Sequence, residues 1–317
     1  MTQSTHPSQL ANSTSSPTSN ITTSLTSLAD ELERQSFPPS ALYVVATPIG
    51  NIADISVRAL KILSLVDGVG CEDTRNTAQL FSRYGISQSL FAAHQHNERE
   101  VTAKIIQRLQ AGERIALVSD AGTPGISDPG ARIVDAVLDA GLRVVPVAGA
   151  SAAIAALSVG GLVSDQFHFA GFLPAKAKQR ESVLSNLVQT SATLVFYEAP
   201  HRILETVDAL TQAFGSERRI VFGREISKLF EQIHRCPLGE AGAWITADSN
   251  RQRGEFVLLV EGAPSSSTDD AAEAQRILGI LLEECSVSQA AALTARITGQ
   301  KKNALYELAL QLSQAEK

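Results

Sequence analysis

Acidic and basic side chains occur together at two points in the second half of the chain. One is the segment 197–202, Tyr-Glu-Ala-Pro-His-Arg, and the other is 223–228, Gly-Arg-Glu-Ile-Ser-Lys. Each follows an apolar run that is typical of a buried strand. A carboxylate such as Glu198 or Glu225, or a lysine such as Lys228, can take a proton from a substrate hydroxyl. These residues are therefore candidates for general acid–base chemistry, and an interdomain belt of salt bridges is the structural alternative.

The loop 119–130 is the second candidate site, with the sequence Ser-Asp-Ala-Gly-Thr-Pro-Gly-Ile-Ser-Asp-Pro-Gly. It follows the apolar run 115–118, a predicted strand, and precedes the amphipathic segment 132–140, a predicted helix. Its three glycines and two prolines disfavour regular structure, and we expect Ser127 or Asp128 to cap the helix. Ligands of open α/β sheets bind at the carboxyl ends of strands. The loop is therefore predicted to bind a ligand, with a tight structural connection as the alternative.

Three further segments follow predicted strands: 47–51 (Thr-Pro-Ile-Gly-Asn), 72–75 (Glu-Asp-Thr-Arg) and 148–151 (Ala-Gly-Ala-Ser). Because parallel strands end at the same edge of a sheet, we expect these segments to converge with the loop 119–130. The chain contains neither G-x-G-x-x-G nor a P-loop, which disfavours an NAD enzyme, an ordinary Rossmann methyltransferase and a kinase. The three cysteines and six histidines match no metal-ligand spacing, so no metal site is predicted.

The composition is that of a soluble globular protein. The chain has 317 residues, of which 44% are hydrophobic and 19% charged, a size that suits two medium domains and an appendage. Its net charge of −6 provides no global attraction to nucleic acid or to an anionic membrane, so such a partner requires a local basic patch. No apolar stretch reaches the roughly 18 residues of a membrane span. The odd number of widely spaced cysteines favours a reducing compartment, and we predict a cytoplasmic protein.

Strand-like and helix-like segments alternate from residue 42 onward, which predicts an α/β fold. The first half indicates a mainly parallel sheet, and the second a mixed sheet, because 228–234 fits an antiparallel strand. The first forty residues are rich in Ser, Thr, Asn and Pro and bury too little apolar surface to become ordered. The predicted organisation is a disordered extension at 1–40, α/β domains at 41–160 and 161–263, a linker at 264–270, and a small helical module at 271–317.

Several of these motifs together resemble a known family. They are 46–51 (Ala-Thr-Pro-Ile-Gly-Asn), 71–75 (Cys-Glu-Asp-Thr-Arg), the loop 119–130, 196–202 and 223–231. In order and spacing they resemble the tetrapyrrole-methylase-fold superfamily. Within it they are similar to the branch that methylates small-subunit (16S) ribosomal RNA on the ribose 2′-hydroxyl of a cytidine in the decoding region. The resemblance covers residues from about 42 to 262 and the helical tail.

The resemblance implies a cofactor, S-adenosylmethionine, bound in a bent conformation between the two domains, and a chain that is usually a homodimer. It further implies that the loops after the first, fourth and fifth strands and one segment of the second domain contact the cofactor. The residues that match these positions are Thr47, Pro48, Asp120, Ala121, Gly122, Thr123, Ser151, Ala152 and Tyr197.

A ribose hydroxyl is a weak nucleophile, which defines what the substrate side of such a site needs. A carboxylate or a lysine of depressed pKa within hydrogen-bonding reach would help to deprotonate it, and the candidates are again Glu198, Glu225 and Lys228. Side chains that could hold RNA phosphates are also present near the strand ends. These candidates are Lys176, Arg202 and Arg224.

Three alternatives remain open from the residues alone. Segments 287–298 and 302–312 resemble two helices around Gly299, which suits either a helix-turn-helix that contacts nucleic acid or a packing and dimerisation unit. The short basic cluster 301–302 is by itself more typical of a solvated surface. The whole chain could also be a methylase of a porphyrinoid or another small molecule, or an RNA-binding protein without catalytic turnover.

Overall fold

The computed structural model describes residues 27, 28, 30–94, 97–264 and 267–315, and the side chains of these except 267–272, 314 and 315. Most of the extension that we predicted to be disordered lies outside the described residues. Its last part, 30–40, packs against the first sheet, which corrects the prediction there. Leu32 is buried, Phe37 packs on the core, and Tyr43 Oη donates a hydrogen bond to the Pro38 carbonyl oxygen at 2.7 Å.

The first sheet consists of five parallel strands in the order β3–β2–β4–β1–β5. These strands are β1 (Ala41–Val45), β2 (Gly68–Cys71), β3 (Leu90–Ala92), β4 (Arg114–Val118) and β5 (Arg143–Val147). A helix follows each of them: α1 (Val57–Leu65), α2 (Thr74–Tyr84), α3 (Glu98–Gln110), α4 (Ala131–Asp139) and α5 (Ala152–Gly160). The predicted alternation of strands and helices is confirmed in this half of the chain.

Apolar residues at helical spacing explain how the helices cover this sheet. Val101, Ile105 and Leu109 recur on one side of α3, Ile133 and Val137 recur on one side of α4, and all five are buried. These helices pack on one face of the central strands, whereas α1 and α2 pack on the other. Because both faces are covered, β1 and β4 are apolar at consecutive positions.

The N-terminus of helix α4 differs from the one that the sequence indicated. Its first residue is Ala131, and the preceding Gly130 has a φ of 129°, a backbone angle that favours glycine. Neither Ser127 nor Asp128 caps the helix, which corrects the prediction. Both lie in the loop that precedes it, and Ser127 itself has a φ of 64°. The side chains of Ser127 and Asp128 are therefore not engaged in capping α4.

The second sheet is mixed, as predicted, with strand order β6–β7–β10–β8–β9. Strands β6 and β7 are parallel, β10 is antiparallel to β7 and β8, and β9 is antiparallel to β8. They are β6 (Phe167–Phe172), β7 (Thr193–Glu198), β8 (Arg219–Arg224), β9 (Gln232–Pro237) and β10 (Phe256–Val260). The antiparallel strand that we predicted at 228–234 begins only at Gln232, because the residues before it form a loop.

Helices cover both faces of the second sheet. One face carries α6 (Ala177–Leu187), α7 (Ile203–Phe214) and α8 (Leu238–Thr246), and the last of these was not predicted from the sequence. The other face is covered by α5, which follows the last strand of the first sheet and packs Ala153 and Ala156 against the second. The small side chains allow close packing, so α5 joins the two sheets.

Three C-terminal helices complete the described chain: α9 (Ser267–Glu284), α10 (Val287–Thr298) and α11 (Lys302–Ala315). The bounds of α10 and α11 agree with the two helices predicted around Gly299. The start of α9 lies inside the range 264–270 that we predicted as a linker, so the linker is shorter than expected. The fold class is confirmed: a parallel sheet, a mixed sheet and a helical module. Within the described ranges, no helix is both long enough and apolar enough to cross a membrane.

Candidate functional site

A cavity of about 360 Å³ lies where the strand-end loops of the two sheets face each other. The first sheet contributes the loops after β1 and β4 and the start of α5. The second sheet contributes the ends of β6 and β7, the loop after β8 and the start of β10. A wider depression of about 830 Å³ over α3 and α4 contains no strand end. We refer to the cavity of 360 Å³ as the cleft.

The floor of the cleft is a pair of loops that bind each other through their backbones. Thr47 and Gly122 exchange two hydrogen bonds, of 2.9 and 3.1 Å, and Thr47 Oγ1 donates to the Ser119 carbonyl oxygen at 3.1 Å. Gly122 has a φ of 80°, which a residue with a side chain rarely adopts. Thr47 is only 1% exposed and lies beneath the cleft, so it fixes the loop after β4 instead of lining the cavity.

Most residues that were predicted to hold the cofactor line the cleft. Thr123 Oγ1 donates a hydrogen bond to the Ala150 carbonyl oxygen at 3.1 Å, which ties the loop after β4 to the start of α5. On the opposite wall, Tyr197 Oη accepts a hydrogen bond from the backbone N–H of Ala153 at 3.3 Å. The predicted cofactor residues in the lining are Ala121, Gly122, Thr123, Ser151, Ala152 and Tyr197.

Asp120 is directed away from the cleft, contrary to the prediction that it contacts the cofactor. One carboxylate oxygen accepts a hydrogen bond from the backbone N–H of Asp73 at 3.2 Å, and the other accepts from Asn76 Nδ2 at 2.7 Å. These contacts tie the loop after β4 to the start of α2. Neither Asp120 nor Pro48 is among the residues that line the cleft.

Asp128, which was predicted as a possible helix cap within a ligand-binding loop, lines the cleft. Burial raises the pKa of its carboxyl group, a hydrogen bond with Ser119 lowers it, and repulsion from Asp120 raises it further, with a net increase. Burial also raises the pKa of the Tyr197 hydroxyl, and the charge of Asp128 adds to that increase. The signal in the sequence was a second acid in a glycine-rich loop, which cannot by itself show the direction of the side chain.

Glu198 lies at the cleft, but its carboxylate is engaged inside the protein. The side chain is fully buried; Oε1 accepts a hydrogen bond from the Ala199 N–H at 2.8 Å, and Oε2 accepts one from Thr206 Oγ1 at 2.5 Å. Arg202 Nε lies 3.5 Å from Oε1 and supplies the compensating charge. A buried carboxylate with these partners stabilises the fold, and it is poorly placed to accept a substrate proton.

Lys228 lies in the cleft lining between two carboxylates. Its Nζ donates to Glu225 Oε1 at 2.9 Å and to Glu255 Oε2 at 2.8 Å. Burial lowers the pKa of Lys228, but the hydrogen bonds to both glutamates outweigh it, and the net pKa is raised. Burial raises the pKa of Glu225, but the hydrogen bonds from Lys228 and from the Glu255 N–H lower it by more, so the net pKa is lowered. The lysine therefore remains protonated, which corrects the expectation of a depressed pKa.

The loop that carries these residues is held in an uncommon backbone conformation. Glu225 and Ser227 have φ values of 51° and 66°, in the left-handed region. Ser227 Oγ donates a hydrogen bond to Asp54 Oδ2 at 2.6 Å, which connects the loop to the first sheet's side of the cleft. Gly50 allows this approach, because a Cβ atom there would lie 2.4 Å from Lys228 Cγ. We refer to 225–231 as the clasp loop.

Two of the three residues that were predicted to bind RNA phosphates donate hydrogen bonds to backbone carbonyl oxygens instead. Arg224 is 8% exposed and donates to the carbonyl oxygens of Arg253 at 2.7 Å and Phe230 at 3.2 Å. Arg202 Nη2 donates to the Leu173 carbonyl oxygen at 2.7 Å. Lys176 alone of the three is exposed. The arginines therefore organise the loops around the cleft. In the described part of the chain, no group of three or more His, Cys, Asp or Glu side chains could hold a metal ion.

Solved structures of low sequence identity share the fold. The uroporphyrin-III-C-methyltransferase from Thermus thermophilus superposes with a TM-score of 0.51 at 18% identity, over 70% of this chain and 94% of that one. The methyltransferase CobJ gives a TM-score of 0.53 at 18% identity, with the same coverage of 70% and 94%. At such identities the similarity concerns the fold alone.

Family models and curated relatives give a more specific result. The model of Tetrapyrrole (Corrin/Porphyrin) Methylases matches residues 41–242, and that of the RsmI C-terminal HTH domain matches 268–313. Ribosomal RNA small subunit methyltransferase I of Pseudomonas aeruginosa is 54% identical, over 85% of this chain and 96% of its own length. The protein of the same name from Escherichia coli O157:H7 is 48% identical, over 85% and 94%. The chain therefore belongs to the tetrapyrrole methylase family and, within it, to the ribosomal RNA small subunit methyltransferase I group.

Proposed function

We propose that this chain transfers a methyl group from S-adenosylmethionine to the ribose 2′-hydroxyl of a cytidine in the decoding region of 16S ribosomal RNA. The observation that carries the proposal is the cleft itself, whose lining comes from the segments on which the motif resemblance rests. The ribose, the cytidine and the decoding region come from the motif resemblance described above. A substrate in the small ribosomal subunit implies action in the cytoplasm.

The residues of the cleft fit S-adenosylmethionine. The volume of the cleft, about 360 Å³, is within the usual range for small-molecule sites. Apolar side chains for an adenosine group are supplied by Ile49, Ile126 and Phe172, and Asp128 supplies a half-buried negative charge for a cationic ligand. When bound, this cofactor supplies an electrophilic methyl group on a positively charged sulfur. The backbone of 121–123 and the Tyr197 hydroxyl would hold polar parts of the ligand.

The chain's own contribution is positioning and exclusion of water, because each of the three predicted proton acceptors is engaged in hydrogen bonds or ion pairs within the protein. Each carboxylate oxygen of Glu198 accepts a hydrogen bond, Lys228 is protonated, and Glu225 Oε1 accepts from Lys228 and from a backbone N–H. Holding two reactants in line can contribute several kcal/mol to a group transfer without a dedicated base. We therefore propose that the clasp loop shapes the cleft and aligns the hydroxyl, and that Glu225 and Lys228 act through its conformation.

Radiolabelled S-adenosylmethionine with three acceptors tests the function. The acceptors are small ribosomal subunits that lack the modification, the naked RNA from them, and a porphyrinoid precursor. The proposal predicts label in the RNA at one position that resists alkaline cleavage, because a methylated 2′-hydroxyl cannot attack the adjacent phosphate. Label in the porphyrinoid alone would contradict the proposed substrate, and label on a base would contradict the ribose as the acceptor.

We further propose that the active form is a homodimer. Helix α5 packs Ala153 and Ala156 against the second sheet, whereas its residues Ile154 and Val159 are 53% and 55% exposed. Val163, just beyond the helix, is fully exposed. Several exposed large apolar side chains in one short segment are typical of a protein interface. Sedimentation of the full chain, compared with Ile154→Asp, tests this: we expect a dimer that the charged variant weakens, and a monomer in both would refute it.

A further inference from the structure

The C-terminal helices form a unit with a core of its own. Helices α9, α10 and α11 pack on one another through small side chains, with Ala274, Ala291 and Leu305 in one buried cluster and Leu278, Ala290 and Ala309 in another. Neither cluster includes a residue from the two sheets. The segment 261–264, which leads toward α9, has no regular structure. The module therefore packs as a unit separate from the two sheets, and its exposed residues are available to a partner.

The charges of this module are separated by sign. Among its described side chains, the acids Glu273, Glu283 and Glu284 lie on α9, and α10 and α11 carry only Glu307. The one described basic residue of α9, Arg276, is paired with Glu273 at 2.7 Å. The remaining cations lie within seven positions of one another, at the end of α10 and the start of α11, and no described acid pairs with them. They are Arg296, Lys301 and Lys302, and all three are exposed.

Exposed apolar side chains lie beside these cations. Ile297, next to Arg296, is 62% exposed, and Tyr306 is 40% exposed. On α11, Lys302 and Tyr306 are four residues apart, so they share one side of the helix. Positive charge beside an exposed aromatic ring matches the two features that unpaired RNA presents, its phosphates and its base faces. We refer to Arg296, Ile297, Lys301, Lys302 and Tyr306 as the basic face.

We propose that the basic face binds the ribosomal RNA substrate at a point outside the cleft, through phosphate contacts from its cations. The inference rests on the proposed function, since it takes RNA as the substrate. It gives a chain of net charge −6 the local basic patch that a polyanionic partner requires, because Arg296, Lys301 and Lys302 are exposed and no described acid pairs with them. Two linked contacts with one RNA strengthen binding even when each is weak.

A charge reversal in the full-length protein tests the basic face. The variant Lys301→Glu/Lys302→Glu is compared with Arg276→Glu, a matched control that reverses a charge on the acidic side of the same module. RNA affinity is measured by filter binding over a series of salt concentrations, and KM and kcat are measured with small subunits. Because each lost phosphate contact removes about one unit of salt slope, we expect the double variant to lose about two units and bind roughly tenfold to a hundredfold more weakly.

The expected pattern separates binding from catalysis. KM for the subunits should rise in the double variant, whereas its affinity for S-adenosylmethionine and the kcat at saturating substrate stay unchanged, and Arg276→Glu should behave as the native chain. An unchanged salt slope and KM in the double variant would overturn the proposal. Equal losses in Arg276→Glu would also overturn it, because they would indicate a nonspecific charge effect. Absence of RNA methylation by the native chain would instead refute the proposed function, while the binding assay still tests the basic face.

Discussion

Replacement of Asp128 by asparagine removes one negative charge from the cleft and keeps the shape of the side chain. Asp128 lines the cavity from the loop after β4, beside Ser119 and near Tyr197. We expect this carboxylate to attract the positive charge of S-adenosylmethionine. The variant Asp128→Asn should therefore bind the cofactor more weakly while the protein remains folded.

The size of the effect follows from the degree of burial. A hydrogen bond or contact that involves a charged group contributes about 1.5–3 kcal/mol, and partial exposure of Asp128 favours the lower end of that range. About 1.5–2 kcal/mol corresponds to a roughly 10- to 30-fold increase in Kd. Isothermal titration calorimetry with S-adenosylmethionine measures it directly. The matched control is Asp120→Asn in the same loop, whose carboxylate binds Asp73 and Asn76 outside the cleft.

The pH dependence gives an independent readout of the same carboxylate. Because burial raises the pKa of Asp128, the carboxylate becomes protonated at a higher pH than an ordinary aspartate does. The cofactor affinity of the native chain should therefore fall as the pH is lowered through that raised pKa, and the affinity of Asp128→Asn should remain flat. A variant that binds within about twofold of the native chain, or an equal loss in Asp120→Asn, would refute the reasoning.

Three further predictions concern the loops around the cleft. Gly50→Ala places a methyl group against Lys228 and should therefore displace the clasp loop. We expect a loss of activity, measured as turnover, and a loss of about 1–3 kcal/mol in the free energy of unfolding, measured in urea. Unaltered turnover would contradict this prediction. Thr206→Val removes a hydrogen-bond donor from the buried carboxylate of Glu198 and should lower the unfolding free energy by about 1.5–3 kcal/mol. A loss below about 0.5 kcal/mol would instead show that water replaces the hydroxyl as the donor. Lys228→Met should destabilise the chain by roughly 1–2 kcal/mol near neutral pH. Because the pKa of Glu225 is lowered in the folded state, this difference should narrow as the pH falls through its titration, and a difference independent of pH would exclude the ion pair as its cause.

The position of the site was determined by the sequence through simple rules. Apolar runs such as 115–118 form strands because they are covered on both faces, and the glycine-rich segment that follows cannot continue a strand or a helix. Parallel strands bring such segments to one edge, which is why the loops at 47–51, 119–130 and 148–151 converge as predicted. The family resemblance, which depends on the order of short motifs, was confirmed by the family model and by the curated relatives.

Helix α8 illustrates a local signal that tertiary packing overrides. Gly239 and Gly242 lower its helix propensity, so the segment has no clear helical pattern in the sequence. In the fold, Leu238, Ala241 and Ile245 are buried against the second sheet, and that burial stabilises the helix. Helix formation here depends on a surface that only the assembled strands provide.

The direction of individual side chains was decided by the tertiary structure alone. Asp120 and Asp128 belong to one loop and have the same chemistry, but the first is hydrogen-bonded to the start of α2 and the second lines the cleft. Glu198 ends strand β7, a position common for catalytic acids, yet Thr206 of the next helix donates a hydrogen bond to its carboxylate. Side-chain chemistry and strand order can be read from local sequence; which partner a charged group meets depends on residues distant in the chain, which only the folded structure brings together.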